Sequence, residues 1–309
     1  MHFPISGVTI DPVLLAGLGF LVGILGGFFG VGGSFLAGPA LFALGLPMNF
    51  VVGTDLVHIV GKSIAAARKH HTLGNIDLRL AAIMVLGTIV GIQVGVNGIE
   101  ALKKIGKVDQ VVGLVAIIVY TGISFFVIWE GWRTSKMPSL KAKGKTENQS
   151  AVAKDKMAFG RFTRWIQRIH LYPMISLPHS GIKSISVWAI LGISFIGGAF
   201  SSFLGGGAGY IRMPCMVYLL GIPTHIAVGT DLFEIVVSAS VGSFQHALHG
   251  NVDILIALVM HTGAAIGAQI GATLTQYFTG PRIRLAFAPL PLIGAGLIVY
   301  GLMTGHQMK

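Results

Sequence analysis

The chain has one cysteine, few charges and fewer acids still. Cys215 alone rules out an internal disulfide and a metal cage built only from thiolates. Charged residues make up 11 % of the 309 positions, where a soluble domain carries about 25 %, so an ordinary water-soluble globule is excluded. Asp and Glu number 11 against 22 Lys and Arg, a formal charge of +11. That sign would suit nucleic acid, but the basic residues collect mainly in one loop between apolar runs. Beside membrane spans such residues set orientation or meet anionic lipid, and no nucleic-acid partner is expected. No Ser/His/Asp set is visible, and no glycine-rich run ends in the Gly-Lys-Ser/Thr that a phosphate loop needs; neither an enzyme nor a cofactor is expected. Residues 1–9 lack a charged leader and a small-residue cleavage site, so the first apolar run is expected to stay in the membrane.

What the chain has is apolar length. Hydrophobic residues make up 53 % of it. Residues 80–98, 108–129, 187–204, 254–278 and 285–303 are apolar runs near or above the roughly 18 residues that suggest a span. Residues 13–46 form an apolar stretch too long for one span and short for two, with Gly26, Gly27, Gly30, Gly32, Gly33 and Pro39 in its middle. It predicts two short helices, 13–29 and 34–44, broken at the glycines. Lipid tolerates such irregular backbone only where protein or a water-lined cavity shields it. Helices over 50–67, 78–97 and 108–129 complete a first set. A second set covers 187–204, 210–220, 225–248, 254–278 and 285–303.

The two sets are copies. A shift of 176 positions carries Val52-Gly-Thr-Asp-Leu56 onto Val228-Gly-Thr-Asp-Leu232, Gly74-Asn-Ile-Asp77 onto Gly250-Asn-Val-Asp253, and Gly91-Ile-Gln-Val-Gly95 onto Gly267-Ala-Gln-Ile-Gly271. From Gly45 to Gly95 about 19 of about 51 positions are identical without a gap. The expected fold is therefore an all-α polytopic membrane protein of two repeats, about five helices each, with broken glycine-rich first helices. Five is odd, so the repeats should insert with inverted topology. With the amino terminus outside, Arg68, Lys69, Arg79, Arg282, Arg284 and the basic loop fall on the cytoplasmic side, as the positive-inside rule asks; Lys103, Lys104 and Lys107 break it. The domains are then residues 1–130, a basic cytoplasmic linker at 131–183, and residues 184–309. Within the linker, 136–156 reads as unstructured and 159–170 as a basic interfacial helix.

Inverted repeats with broken helices mark secondary transporters, which hold substrate where the repeats meet. A helix that starts at a glycine break offers free amides and partial positive charge to an anion. The candidate seats are Gly32, Gly33 and Ser34 in one copy and Gly207 and Gly209 in the other; the bland alternative is that these glycines only permit close packing. After each break comes a polar stripe: Thr54, His58 and Lys62, and its twin Thr230, Glu234 and Ser238, with Asp55 and Asp231 beside them. Lys62 either offers charge to an anion or pairs with Glu234. His58 could carry a coupling proton, with Asp55, Asp231 and Glu234 as further proton sites. Against that, Thr-Asp near a helix start is a capping pattern, and capping is the favoured account of both aspartates. Arg212 either forks onto a sulfonate or carboxylate or ties helices and snorkels. Gln93 and Gln269 either line the path or glue helices. His70-His71 and His246/His249 have no nearby ligand set to complete a metal site.

At these residues the chain resembles a known family. The Gly-Val-Gly-Gly break, the Gly-Leu-Pro and Gly-Ile-Pro turns, the paired Val-Gly-Thr-Asp-Leu, the Gly-Asn-x-Asp turns and Gly-x-Gln-x-Gly look like the sulfite exporter TauE/SafE family of permeases. The resemblance implies transport of sulfite, organosulfonates or related sulfur-containing anions across the cell's inner or plasma membrane, coupled to protons. The partners it implies are a small anion, protons and the bilayer. A homo-oligomer, or a cytoplasmic partner at the linker, is left open. The second break departs from the pattern at Gly205-Gly-Gly-Ala-Gly-Tyr-Ile-Arg212. A passive anion channel and a membrane partner of a sulfur-metabolism enzyme are the alternatives.

Overall fold

The computed structural model describes residues 1–135 and 171–304; the expected unstructured 136–156 stretch and the expected helix at 159–170 lie outside the described residues. A two-stranded ribbon, β1 (His2–Phe3) with β2 (Val8–Thr9), precedes the first helix. Asp11 opens α1 (Pro12–Phe29) by accepting from the Val13 amide at 2.7 Å, and Pro12 sits where no helical donor is missed. The helix ends at Gly30, φ 73°, and Gly32 and Gly33 follow with φ 67° and 72°. Three left-handed residues in four are cheap only for glycine. They stop α1 and launch α2 (Ser34–Ala43) in a new direction. Then come α3 (Met48–Thr72), α4 (Leu78–Lys104) and α5 (Val108–Ser135).

The second half opens with an unforeseen hairpin, β3 (Met174–Leu177) and β4 (Ile182–Ser186), which leads into α6 (Val187–Leu204). Gly205, Gly206 and Gly207 repeat the left-handed break with φ of 80°, 92° and 72°. The helix α7 (Gly209–Cys215) runs on through a wide π turn at Met216–Leu220 to α8 (Thr224–Leu248) and α9 (Ile254–Leu274). The expected single helix at 285–303 is two, α10 (Gly280–Phe287) and α11 (Leu290–Thr304). Pro289 and Pro291 bring no N–H to a continuous ladder. Eight segments among the described residues are long and apolar enough to cross a membrane. The protein is an all-α, multi-pass membrane protein.

Two seams hold the halves together, and both cross between them. Along α1, Gly19, Gly23 and Gly27 face Met260, Ala264 and Ala268 of α9 in order; Gly263, Gly267 and Gly271 face back. The twin seam sets Gly87, Gly91 and Gly95 of α4 against Leu191, Phe195 and Ala199 of α6. A Cβ at Gly23 would fall 2.8 Å from the Ala264 Cα, and one at Gly198 2.8 Å from the Thr88 Cα. These glycines serve close backbone packing, while those of the breaks serve chain direction.

Polar ties fasten each end of the bundle. At one end Asp253 caps α9, its Oδ1 accepting from Leu255 and Ile256 amides at 3.2 and 3.3 Å, while Oδ2 accepts from the Ser6 hydroxyl at 2.7 Å. Its twin Asp77 caps α4 at the other end and accepts from the Ser180 hydroxyl of the β3–β4 turn at 2.6 Å. We expect Asp253→Ala and Asp77→Ala each to cost about 1 kcal/mol or somewhat more, read as a lower melting temperature in detergent with transport retained. Lys103 donates to the His249 carbonyl at 2.9 Å and to Asn251 Oδ1 at 2.8 Å. This lysine, out of place by the charge rule, is a strut for the turn before α9.

Candidate functional site

The Thr-Asp pairs are not caps. Helix α3 starts after Pro47 and α8 after Pro223, so Asp55 and Asp231 stand about two turns inside their helices and are fully buried. Thr54 and Thr230 use their hydroxyl oxygens as ties, accepting from the Asp253 and Asp77 amides at 2.9 Å each. Each stitches its helix to the turn before the fourth helix of the opposite half.

On α3, Asp55, His58 and Lys62 form a buried line. His58 Nδ1 lies 3.4 Å from Asp55 Oδ1 and 3.2 Å from Lys62 Nζ. One ring nitrogen thus faces a carboxylate and an ammonium. With a proton it donates to Asp55; without one it accepts from Lys62. Asp55 Oδ2 and His58 Nε2 have no protein partner, a debt that water, substrate or a proton must settle.

In the second half the cation comes from a different element. Arg212 of α7 is fully buried, its Nε 2.9 Å from Asp231 Oδ1, too bent for a straight hydrogen bond, and its Nη1 paired with Glu234 Oε2. It also donates to the Gly207 carbonyl at 2.7 Å and, more weakly, to Thr88 Oγ1 at 3.3 Å. Arg212 therefore ties α7 to α8 and to the break; it does not snorkel. Glu234 pairs with Arg212 and with the Ser238 hydroxyl at 3.2 Å, and not with Lys62. Gly197 of α6 gives the arginine stem its room, since a Cβ there would overlap Arg212 Cγ and Cδ.

The two breaks touch. A Cβ at Gly32 would lie 3.5 Å from the Gly206 carbonyl oxygen, and one at Gly209 2.5 Å from both the Val31 Cα and Asp231 Oδ2. Gly33 and Ser34 open α2 beside this contact. The rings of Tyr120 and Tyr210, 5.2 Å apart and edge to face, pack at the start of α7. Gln93 and Gln269 are outside this centre. Both are exposed on the outer faces of α4 and α9, and Gln93 accepts from Gln245 of α8 at 3.1 Å, a tie between helices.

The twins His70 and His246, weighed from the sequence only as metal ligands, are structural ties. His70 Nε2 donates to the Gly27 carbonyl at 3.1 Å, and His246 Nε2 to the Ser202 carbonyl at 2.9 Å. Each secures the last turn of a broken first helix, and their identity under the 176-residue shift was the available signal.

The sulfite exporter TauE/SafE family model matches residues 15–298. The chain belongs to the TauE/SafE family. Among relatives of this TauE/SafE chain is the probable membrane transporter protein YunE of Bacillus subtilis, 25 % identical over 301 residues, covering 94 % of the chain and 99 % of YunE. The probable membrane transporter protein YjnA of the same organism is 23 % identical, over 89 % of the chain and 95 % of YjnA. A probable membrane transporter protein of Xylella fastidiosa is 24 % identical over 89 % of both chains. No solved structure matches. Membrane transport is thus the role of this TauE/SafE protein, and the buried charges sit in a permease.

Proposed function

We propose that this TauE/SafE protein is a secondary active transporter of small sulfur-containing anions, of the sulfite and organosulfonate class, coupled to protons. Residues 1–130 and 184–309 act as inverted halves joined by the 131–183 linker on the cytoplasmic side, and substrate is exposed to each side in turn. The reciprocal ties support the inversion: the chain enters the first half beside Asp253 and the second beside Asp77, the two twin caps. The burial of both breaks and of every charge around them favours an occluded site over an open pore.

The observation that carries the reading is the Asp55–His58–Lys62 line beside the paired breaks. Lys62 and Arg212 face Asp55, Asp231 and Glu234, so with His58 neutral one negative charge is in excess. A second negative charge arriving as substrate is opposed; a unit charge about 4 Å away at an effective dielectric near 20 is worth about 4 kcal/mol, on the order of a thousandfold in affinity. A proton taken up on His58 or a carboxylate offsets it. Proton and anion then favour each other's binding, as linkage requires, and the α2 amides with Lys62 seat the anion.

Purified protein in liposomes, screened with sulfite, thiosulfate, sulfoacetate and taurine, tests this. At least one should accumulate against its gradient when a proton gradient is imposed, and Lys62→Gln should lower that uptake at least tenfold. Accumulation indifferent to a protonophore, or full uptake by Lys62→Gln, would remove the proposal.

A further inference from the structure

The two copies share Asp55 and Asp231 but differ in the polar residues that follow, His58 and Lys62 in one against Glu234 and Ser238 in the other. One pair of differences is matched. At position 61 the first copy has glycine where the second has Val237, and at 261 the second copy has histidine where the first has Val85. In space the two meet. The His261 ring of α9 lies on the backbone of Gly61 in α3, where a Cβ would fall 2.6 Å from Nδ1 and 2.7 Å from Nε2. Gly61 leaves the space that the imidazole fills.

The ring stands between two surroundings. On one side are Lys62, next in the chain to Gly61, and His58 one turn before it, both within electrostatic reach of His261. On the other is a cleft of about 250 Å³ between α3, α8 and α9, open to the bundle surface at exposed Leu258 and Ser240, whose wall His261 shares with Ser243 and Val60. At about 30 Å³ per water that space holds several. Of the elements packed on the ring, α8 brings the two serines to the cleft and α1 contains no titratable residue. His261 Nδ1 is buried without a protein partner.

We infer that His261 is a proton relay between this cleft and the Lys62–His58 pair. A proton taken from water on one ring nitrogen is matched by release of the proton on the other, so the ring returns to neutral and nothing else is consumed. The assignment rests on the proton-coupled reading above and gives it an entry route.

The test uses the full chain in liposomes with radiolabelled sulfite as probe. His261→Val removes the relay. The double variant Gly61→Val with His261→Val rebuilds the valines found at the twin positions, Val237 and Val85, and controls for packing. Sulfite-driven proton movement, followed with a trapped pH dye, should fall at least tenfold in both. Sulfite–sulfite exchange at equal acidic pH, which needs no net proton transfer, should stay within about twofold. Ser243→Cys in a Cys215→Ala background should react with a charged, water-borne methanethiosulfonate. Proton movement unchanged in both variants overturns the relay. So does exchange lost in step with it in the double variant, or a Ser243→Cys thiol that never reacts. A wild-type protein that accumulates sulfite without moving protons would instead sink the coupling reading, and the relay with it.

Discussion

Arg212→Ala is expected to lose the fold before it loses transport. The guanidinium meets Asp231, Glu234 and the Gly207 carbonyl with no exposure to solvent. Its removal strands two carboxylates in the interior and frees a carbonyl at the break. Breaking a buried ion pair from one side costs about 3–5 kcal/mol, a large share of a typical stability of about 5–15 kcal/mol. The melting temperature should drop steeply, with aggregation on purification. Neutralising the partners as well separates charge from packing. Arg212→Met with Asp231→Asn and Glu234→Gln should recover most of the melting temperature, because replacing a whole buried ion set is often neutral or stabilising. That recovered protein should still fail to accumulate anion under a proton gradient. An Arg212→Ala protein melting like wild type would show that the triad is no structural tie.

Gly33→Val should be the second severe lesion. Gly33 has φ 72°, and a side chain there would meet Val22 Cγ1 at 2.7 Å. The left-handed backbone alone costs a branched residue about 1–3 kcal/mol, and overpacking adds about 1–3 kcal/mol. The start of α2 should shift from the contact with the second break, lowering uptake at least tenfold along with stability. Gly74→Ala is the control: φ is 70° but nothing lies within 4 Å of the added carbon. It should cost about 1 kcal/mol and leave uptake near wild type. Equal losses for the two would mean that the break has no special role.

The breaks and the helices that follow them were legible because glycine runs and the 176-residue shift are local, repeated signals. The Asp55 and Asp231 capping account failed for a nameable reason. Pro47 and Pro223 start the helices without a side-chain cap, and Thr-Asp, two turns later, imitates one. Which cation reaches Glu234 could not be read. Lys62 and Arg212 are both buried, and only the path of α7 past Gly197 decides for Arg212. Gln93 and Gln269 stayed open between path and tie because helices apolar all round carry no periodicity to say which face is inside.

The glycine seams join the opening helix of each copy to the fourth helix of the other. The segment that was doubled and the unit that packs as one are therefore different things. Each packed unit is a composite, α1 laid on α9 and α4 laid on α6. It follows that neither half made alone has a surface on which to lay its first helix. Two fragments produced in the same cell should find each other, each supplying the strip its partner is missing.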